Sequence, residues 1–382
     1  MAQPQANGVD KEDLKKTKKK RGIVLRKRKT SLFRSSCFRV SDAANPPAIA
    51  GEGGDGAERR KIPTHLVVTV NGLVGSANNW KYAAKQFRKR YPDDVVVLRS
   101  ECNGAIKTLH GVDIMGRRLA DEVRTFVECR PELQKISIVA HSLGGLVARY
   151  AIALLYSNGG NSKGEAVNEG KIAGLEPVNF ITFATPHLGS LSHRQIPILR
   201  GVRALEKMAY YLSWIAGRSG KHLFLKDGEK GKPPLLLQMV TDFGNLHFMS
   251  ALRSFKRHVA YSNYCFDFIV GRKTSSIRRK HEVPKSRNFV QNSKYPHIVY
   301  IEKSNLTEDD FSEDMIYQAK TTDEMEEAMI KSLKRIPWER IDVSFRKTMQ
   351  KLFAHSTIQV KTYMINSAGA DVISHMIDEF VL

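Results

Sequence analysis

Cysteine is scarce in this chain of 382 residues. Cys37, Cys102, Cys129 and Cys265 form no CxxC pair and share no spacing. That excludes a disulfide framework and a thiolate zinc site, and it makes a reducing setting, the cytoplasm, the expectation. The twelve histidines include no HExxH and no Cys/His cluster, so no metal and no other cofactor is expected. No apolar run reaches the ~18 residues of a membrane span. There is no internal repeat.

Acidic residues are short as well: 39 Asp and Glu stand against 61 Lys and Arg, a net charge of +22. The imbalance is local. Lys11 to Arg39 holds thirteen basic residues against Glu12 and Asp13, half of the whole excess. A block of this kind is a solvated, disordered tail, and its charge also suits anionic lipid or a nuclear address. Residues 21–44 are Arg- and Ser-rich like an organelle transit peptide, but Asp10, Glu12 and Asp13 at the start speak against one. Its only aromatics are Phe33 and Phe38, too few for base stacking, so no nucleic-acid partner is expected. Residues 1–63 have no hydrophobic period, and Asn45–Gly56 is a Pro-, Gly- and Ala-rich linker.

What is present begins at residue 64. HLVVTV from His65 is a β-branched strand ended by Asn71-Gly72, with a helix expected over Trp80–Arg90. DDVVVLRS is a second strand. Met115, Leu119, Val123 and Phe126 share one face of a helix over Val112–Cys129. A strand at Lys135, a helix after Ser142 and the strand VNFITFAT continue the alternation. Such alternation implies a mostly parallel sheet flanked by helices. It breaks over about 191–256, which has apolar helical pieces and no core strand and is expected to be a cap or lid insertion. It resumes at HVAYSNYCFDFIVG and WERIDVSF, and a helix from Ala370 to Leu382 closes the chain.

One junction carries chemistry. In KISIVAHSLGGLVARYAIALLY a strand meets a helix at Ser142. A turn that sharp pushes one side chain above the sheet and requires small residues two before and two after, here Ala140 and Gly144. This is a nucleophile elbow with Ala in its first slot, although a Ser that merely caps a helix would fit a looser pattern. Acyl transfer also needs two oxyanion donors. The backbone N–H groups of Leu73, in the loop VNGLVGS, and of Leu143 are the natural pair. The serine then needs a base, and the base an orienting acid, in the order Ser, acid, His. Asp267, after the strand VAYSN, is the candidate acid; TPHLGS after the preceding strand has none. His355, in the stretch after WERIDVSF, is the candidate base. His375 reads as a helix-face residue, His187 as packed or bordering the pocket, and His141 as a support for the turn.

With these residues in hand, the chain resembles the lipase-like serine esterases of the α/β-hydrolase superfamily, in their plant-type version. HLVVTVNGLVGSANNWKYAAKQF, RSECN, ELQKISIVAHSLGGLVARYAI, FITFATPHLGS, SALRSFKRHVAYSN, TSSIRRKHEVP and AHSTIQVKTY carry the likeness, which runs from His65 to the C-terminus. The resemblance implies an α/β-hydrolase fold over residues 64–382 with Ser142 as nucleophile, Asp267 as acid and His355 as base. Asn71-Gly72 stands where many relatives have His-Gly. Phe268 follows Asp267 where a His is more usual, and Gly271-Arg272-Lys273 replaces a common Gly-Trp-Arg.

The expectation is therefore a serine hydrolase acting on carboxylic esters, lipids above all, against the rival of a catalytically inactive fold that binds lipid or protein. Peripheral contact with anionic membrane is expected through the tail or the insertion. Met208–Ile215 and Leu235–Val240, near Lys207, Arg218 and Lys221, form either an interfacial lid or a helical cap packed on the core.

Overall fold

β-Branched and aliphatic runs set the frame. The computed structural model describes residues 61–158, 170–190, 217–290, 292–303 and 311–382. Seven strands form one sheet: β1 (His65–Val70), β2 (Val95–Arg99), β3 (Lys135–His141), β4 (Glu176–Phe183), β5 (Arg257–Asn263), β6 (Ile298–Lys303) and β7 (Trp338–Val343). Their order is β6-β7-β5-β4-β3-β1-β2. All neighbours are parallel except the edge pair β6 and β7. This is the mostly parallel sheet of an α/β-hydrolase.

Period-2 alternation buries both faces. Leu66, Val68, Val70, Ile136, Ile138 and Ala140 share a core with helices α2 (Val112–Glu128), α3 (Leu143–Leu155) and α4 (Thr322–Leu333). The alternate residues Val67, Val139, Ile181, Val259 and Ile341 belong to a second core with α1 (Lys81–Arg90) and α5 (Ala370–Asp378). A strand buried on both sides reads as continuous apolar sequence, as these do.

Register then aligns the strand ends. Val70 lies beside Ala140, His141 beside Phe183, Phe183 beside Tyr261, and Asn263 beside Val343. The loops after β1, β3, β5 and β7 thus leave the sheet at one level. β1 lies between β2 and β3, so the chain reverses direction across the sheet there. Crevices at the carboxyl ends of strands beside such a switch are where α/β sheets bind ligands.

The structure adds two elements, and for one apolar run it agrees with the packed reading of the two left open above. The chain between the strand at Arg257 and Trp338 holds the edge strand β6 and helix α4, which the reading of the sequence did not identify. And the run Leu235–Val240 is no exposed surface: Leu236, Leu237, Met239 and Val240 are fully buried. The physical reason is that α3 and α4 cover it. Arg149 of α3 donates to the Met239 carbonyl at 2.8 Å, and Ser332 of α4 donates to the Val240 carbonyl. The short helix Arg218–Leu223 packs likewise. His222 accepts the Val112 N–H and Ser219 accepts the Gly111 N–H, each at 3.0 Å, so this segment satisfies donors that α2 leaves open at its start. The basic tail up to residue 60, Lys207 and Met208–Ile215 lie outside the described residues. Among the described residues no helix is long and apolar enough to cross a membrane.

Candidate active site

The site begins with a strained serine. Ser142 stands between β3 and α3, as the N-cap of α3, with φ 54° and ψ −132°, a backbone that L-residues rarely adopt. The neighbours make that turn possible. A Cβ on Gly144 would lie 2.6 Å from the Asn71 carbonyl oxygen, and one on Gly72 would lie 2.7 Å from the Ser142 Cβ. Both approaches forbid any larger residue. They also bring the loop after β1 against the serine, as the sheet register dictates.

The structure brings the three sequence candidates together. Ser142 Oγ lies 3.0 Å from His355 Nε2, and His355 Nδ1 lies 3.0 Å from Asp267 Oδ2. His355 stands on the short helical turn Ala354–Thr357 beyond β7, and Asp267 in the loop beyond β5. The Asp267 side chain is only 2% exposed. It accepts three further bonds: Ile269 N–H at 3.0 Å, Val270 N–H at 2.9 Å, and the Asn263 amide at 2.8 Å. Burial alone would raise its pKa. Electrostatic attraction to the His355 ring and the donors from His355, Val270 and Asn263 outweigh it, and the carboxyl stays below the ordinary aspartate value. An ionised Asp267 makes His355 Nδ1 the donor. That leaves the Nε2 lone pair to accept the Ser142 hydroxyl.

The Leu73 and Leu143 amides flank the serine, and both residues line a cleft with Gly72, Ser142, Ile269 and His355. Among the described residues neither N–H has an intramolecular acceptor. Leu143 also opens a 13-residue helix, whose partial positive charge faces the serine. The loop that carries Leu73 is pinned. Asn71 donates to the Asn103 carbonyl at 2.9 Å, and Val74 N–H donates to Thr108 at 2.9 Å. Asn71 thus holds the loop without presenting its side chain to the serine.

Two residues of the site were not picked out from sequence, and a third has a larger part than the one expected of it. Asn263, the last residue of β5, holds Asp267; its position four residues before the acid was the available signal. Lys361 lines the cleft, and burial lowers its pKa. His141 does more than support the turn. Its Nε2–H donates to the His355 backbone carbonyl at 2.7 Å. Burial, aided by the neighbouring His355, pushes its pKa far below the ordinary histidine value, so the ring is neutral. No spacing rule links residues 141 and 355. His187 is fully buried, bonded to Thr182 at 3.0 Å and set edge-on to Trp338, so it is a packing residue. His375 bonds Tyr261 at 2.8 Å on the buried side of α5.

Residues 60–277 match the family model described as "Putative serine esterase (DUF676)", more than half of the chain. The chain belongs to this serine esterase family. The match spans Ser142 and Asp267 and stops short of His355. Similar curated proteins of Saccharomyces cerevisiae are "Putative lipase ROG1", 32% identical over 219 residues, and "Putative lipase YDL109C", 28% identical over 218. Each alignment covers 56% of this chain, but 28% and 30% of those proteins. The chain therefore spans under a third of the length of these relatives. Among solved structures, the mature Bacillus licheniformis lipase BlEst2 aligns over 56% of this chain and 70% of its own, at 16% identity and a TM-score of 0.31. Phospholipase PlaB of Legionella pneumophila aligns over 53% and 40%, at 16% identity and a TM-score of 0.33.

Proposed function

We propose that this serine esterase family member hydrolyses carboxylic esters, lipid esters above all, through Ser142, His355 and Asp267 and a covalent acyl-enzyme. One observation carries the reading: a continuous hydrogen-bond path from Ser142 Oγ through both nitrogens of His355 to a buried, ionised carboxylate.

In the reaction Ser142 Oγ attacks the ester carbonyl carbon while its proton passes to His355 Nε2. The carbonyl oxygen takes the electron pair and becomes an oxyanion, held by the Leu73 and Leu143 N–H groups. Asp267 stabilises the imidazolium. The carbon–oxygen bond to the alcohol then breaks, and Nε2 returns the proton to the leaving alkoxide. Water, activated by His355, attacks the acyl-enzyme and releases the acid. The lipid preference draws on the relatives that bear the name of lipases and on a cleft rimmed by Leu73, Ile269 and Val270.

The test is active-site labelling with a fluorophosphonate, joined to hydrolysis of a panel of acyl esters and phospholipids. The wild type is expected to label and turn over. Ser142→Ala should label not at all and lose activity by about 10⁶-fold. A well-folded wild type that neither labels nor turns over any ester overturns the reading in favour of a non-catalytic binding module.

A further inference from the structure

The stretch that bears His355 has an unusual outer surface. Before the histidine, the turn Met349–Phe353 exposes Met349 (93%), Leu352 and Phe353. After it, the turn Tyr363–Asn366 exposes Tyr363, Met364 (92%) and Ile365. Gln350 ties the two turns into one surface: its amide donates to Ser367 at 3.1 Å and its oxygen accepts the Ala368 N–H at 2.9 Å. Large apolar side chains are normally scattered singly, and a contiguous set marks an interaction site. Charge adds a second, independent constraint. Residues 346–365 include Arg346, Lys347, Lys351 and Lys361 and no acidic residue at all. Arg346 and Lys347 are exposed. Among the described residues none of the four bonds a carboxylate.

We propose that this surface docks the protein on a lipid bilayer that contains anionic phospholipid. Methionine, leucine and aromatic side chains flanked by lysine and arginine, on short turns rather than a long helix, suit insertion to the depth of the headgroup boundary. The location gives docking a purpose, and here alone the inference rests on the hydrolase reading. His355, Ser356 and Lys361 of the same stretch line the active-site cleft. A bilayer seated on this surface therefore lies beside the cleft mouth. The docking face is thus the His355 stretch itself, not the buried run Leu235–Val240.

The test uses the full chain and co-sedimentation with vesicles, either of phosphatidylcholine alone or of phosphatidylcholine with phosphatidylserine. Each measurement is repeated at high salt, where the hold of the basic N-terminal block is screened. Wild type is expected to favour the phosphatidylserine vesicles. Met349→Glu/Met364→Glu should lower that partitioning by about tenfold or more, while its thermal unfolding matches wild type. Ser142→Ala should bind vesicles as wild type does, which separates docking from catalysis. Equal partitioning of the double variant and wild type at both salt concentrations overturns the proposal, because the N-terminal block alone then does the binding. Equal binding of wild type to both vesicle types overturns the choice of an anionic bilayer. A concentration-dependent dimer that the double variant dissolves, without vesicle binding, assigns the surface to a second copy and overturns it too.

Discussion

His141 and His355 show how two chemically equal side chains take different parts. His355 keeps a carboxylate on one nitrogen and a hydroxyl on the other. His141 lies one residue before the serine, nearly fully buried, and spends its Nε2–H on the carbonyl of His355. It reaches no reacting atom, so it is a positioning residue. A neutral hydrogen bond of this kind contributes about 1 kcal/mol, and an unsatisfied buried carbonyl costs somewhat more. His141→Leu should therefore lower kcat for a soluble ester by about tenfold and leave KM unchanged. His141→Gln, which keeps an N–H donor, should recover part of the loss. Steady-state kinetics on the two variants decide the matter; a rise in KM with constant kcat would make His141 a binding residue instead.

Elements, not single residues, decide what Leu235–Val240 does. As a short helix and its exit it could have faced water. Instead α3 and α4 close over it, with Arg149 and Ser332 on its last carbonyls. Leu237 is fully buried within the core that holds Leu146 and Met329. Leu237→Ala should cost about 2–5 kcal/mol in urea unfolding, as a cavity in a packed core does. An interfacial leucine would cost almost nothing. Helix α4 carries its own start signal in the sequence: Thr321 and Glu324 form a capping box before an apolar stripe. Strand β6 was harder, because its outer residues are half exposed and, among the described residues, it pairs only with β7, antiparallel.

At the scale of the whole molecule, several histidines are buried neutral, and that links stability to pH. His65, bonded to Ser137, and His258, donating to the Leu252 carbonyl, are each held to a pKa of about 4 chiefly by burial. Unfolded histidine titrates near 6.5. Between those values the unfolded chain binds more protons than the folded one, so stability rises with pH there. The contribution is whole above about pH 6.5 and drains away as pH falls toward about 4, on the order of 3 kcal/mol for each histidine. Urea midpoints measured across this window should fall steeply in the wild type. They should fall less in His65→Phe, whose ring has Phe380 beside it at 5.3 Å. An equal slope in both would mean that His65 is protonated in the folded state.

The sequence by itself determined the alternation of strands and helices, because parallel strands buried on both faces must be apolar throughout and their crossovers must be helical. It determined the serine elbow for a related reason. A sharp strand-to-helix turn tolerates only small neighbours, and Ala140 and Gly144 each stand two positions from the serine. Candidates for acid and base were also visible, as an aspartate and a histidine after late strands. Only the tertiary structure decided that His355 reaches both Ser142 and Asp267, that Asn263 and His141 hold the pair, and that one apolar run is core while another faces outward. Those outcomes depend on contacts between residues tens to hundreds of positions apart. Sheet register and helix packing set such contacts, and local spacing carries no record of them.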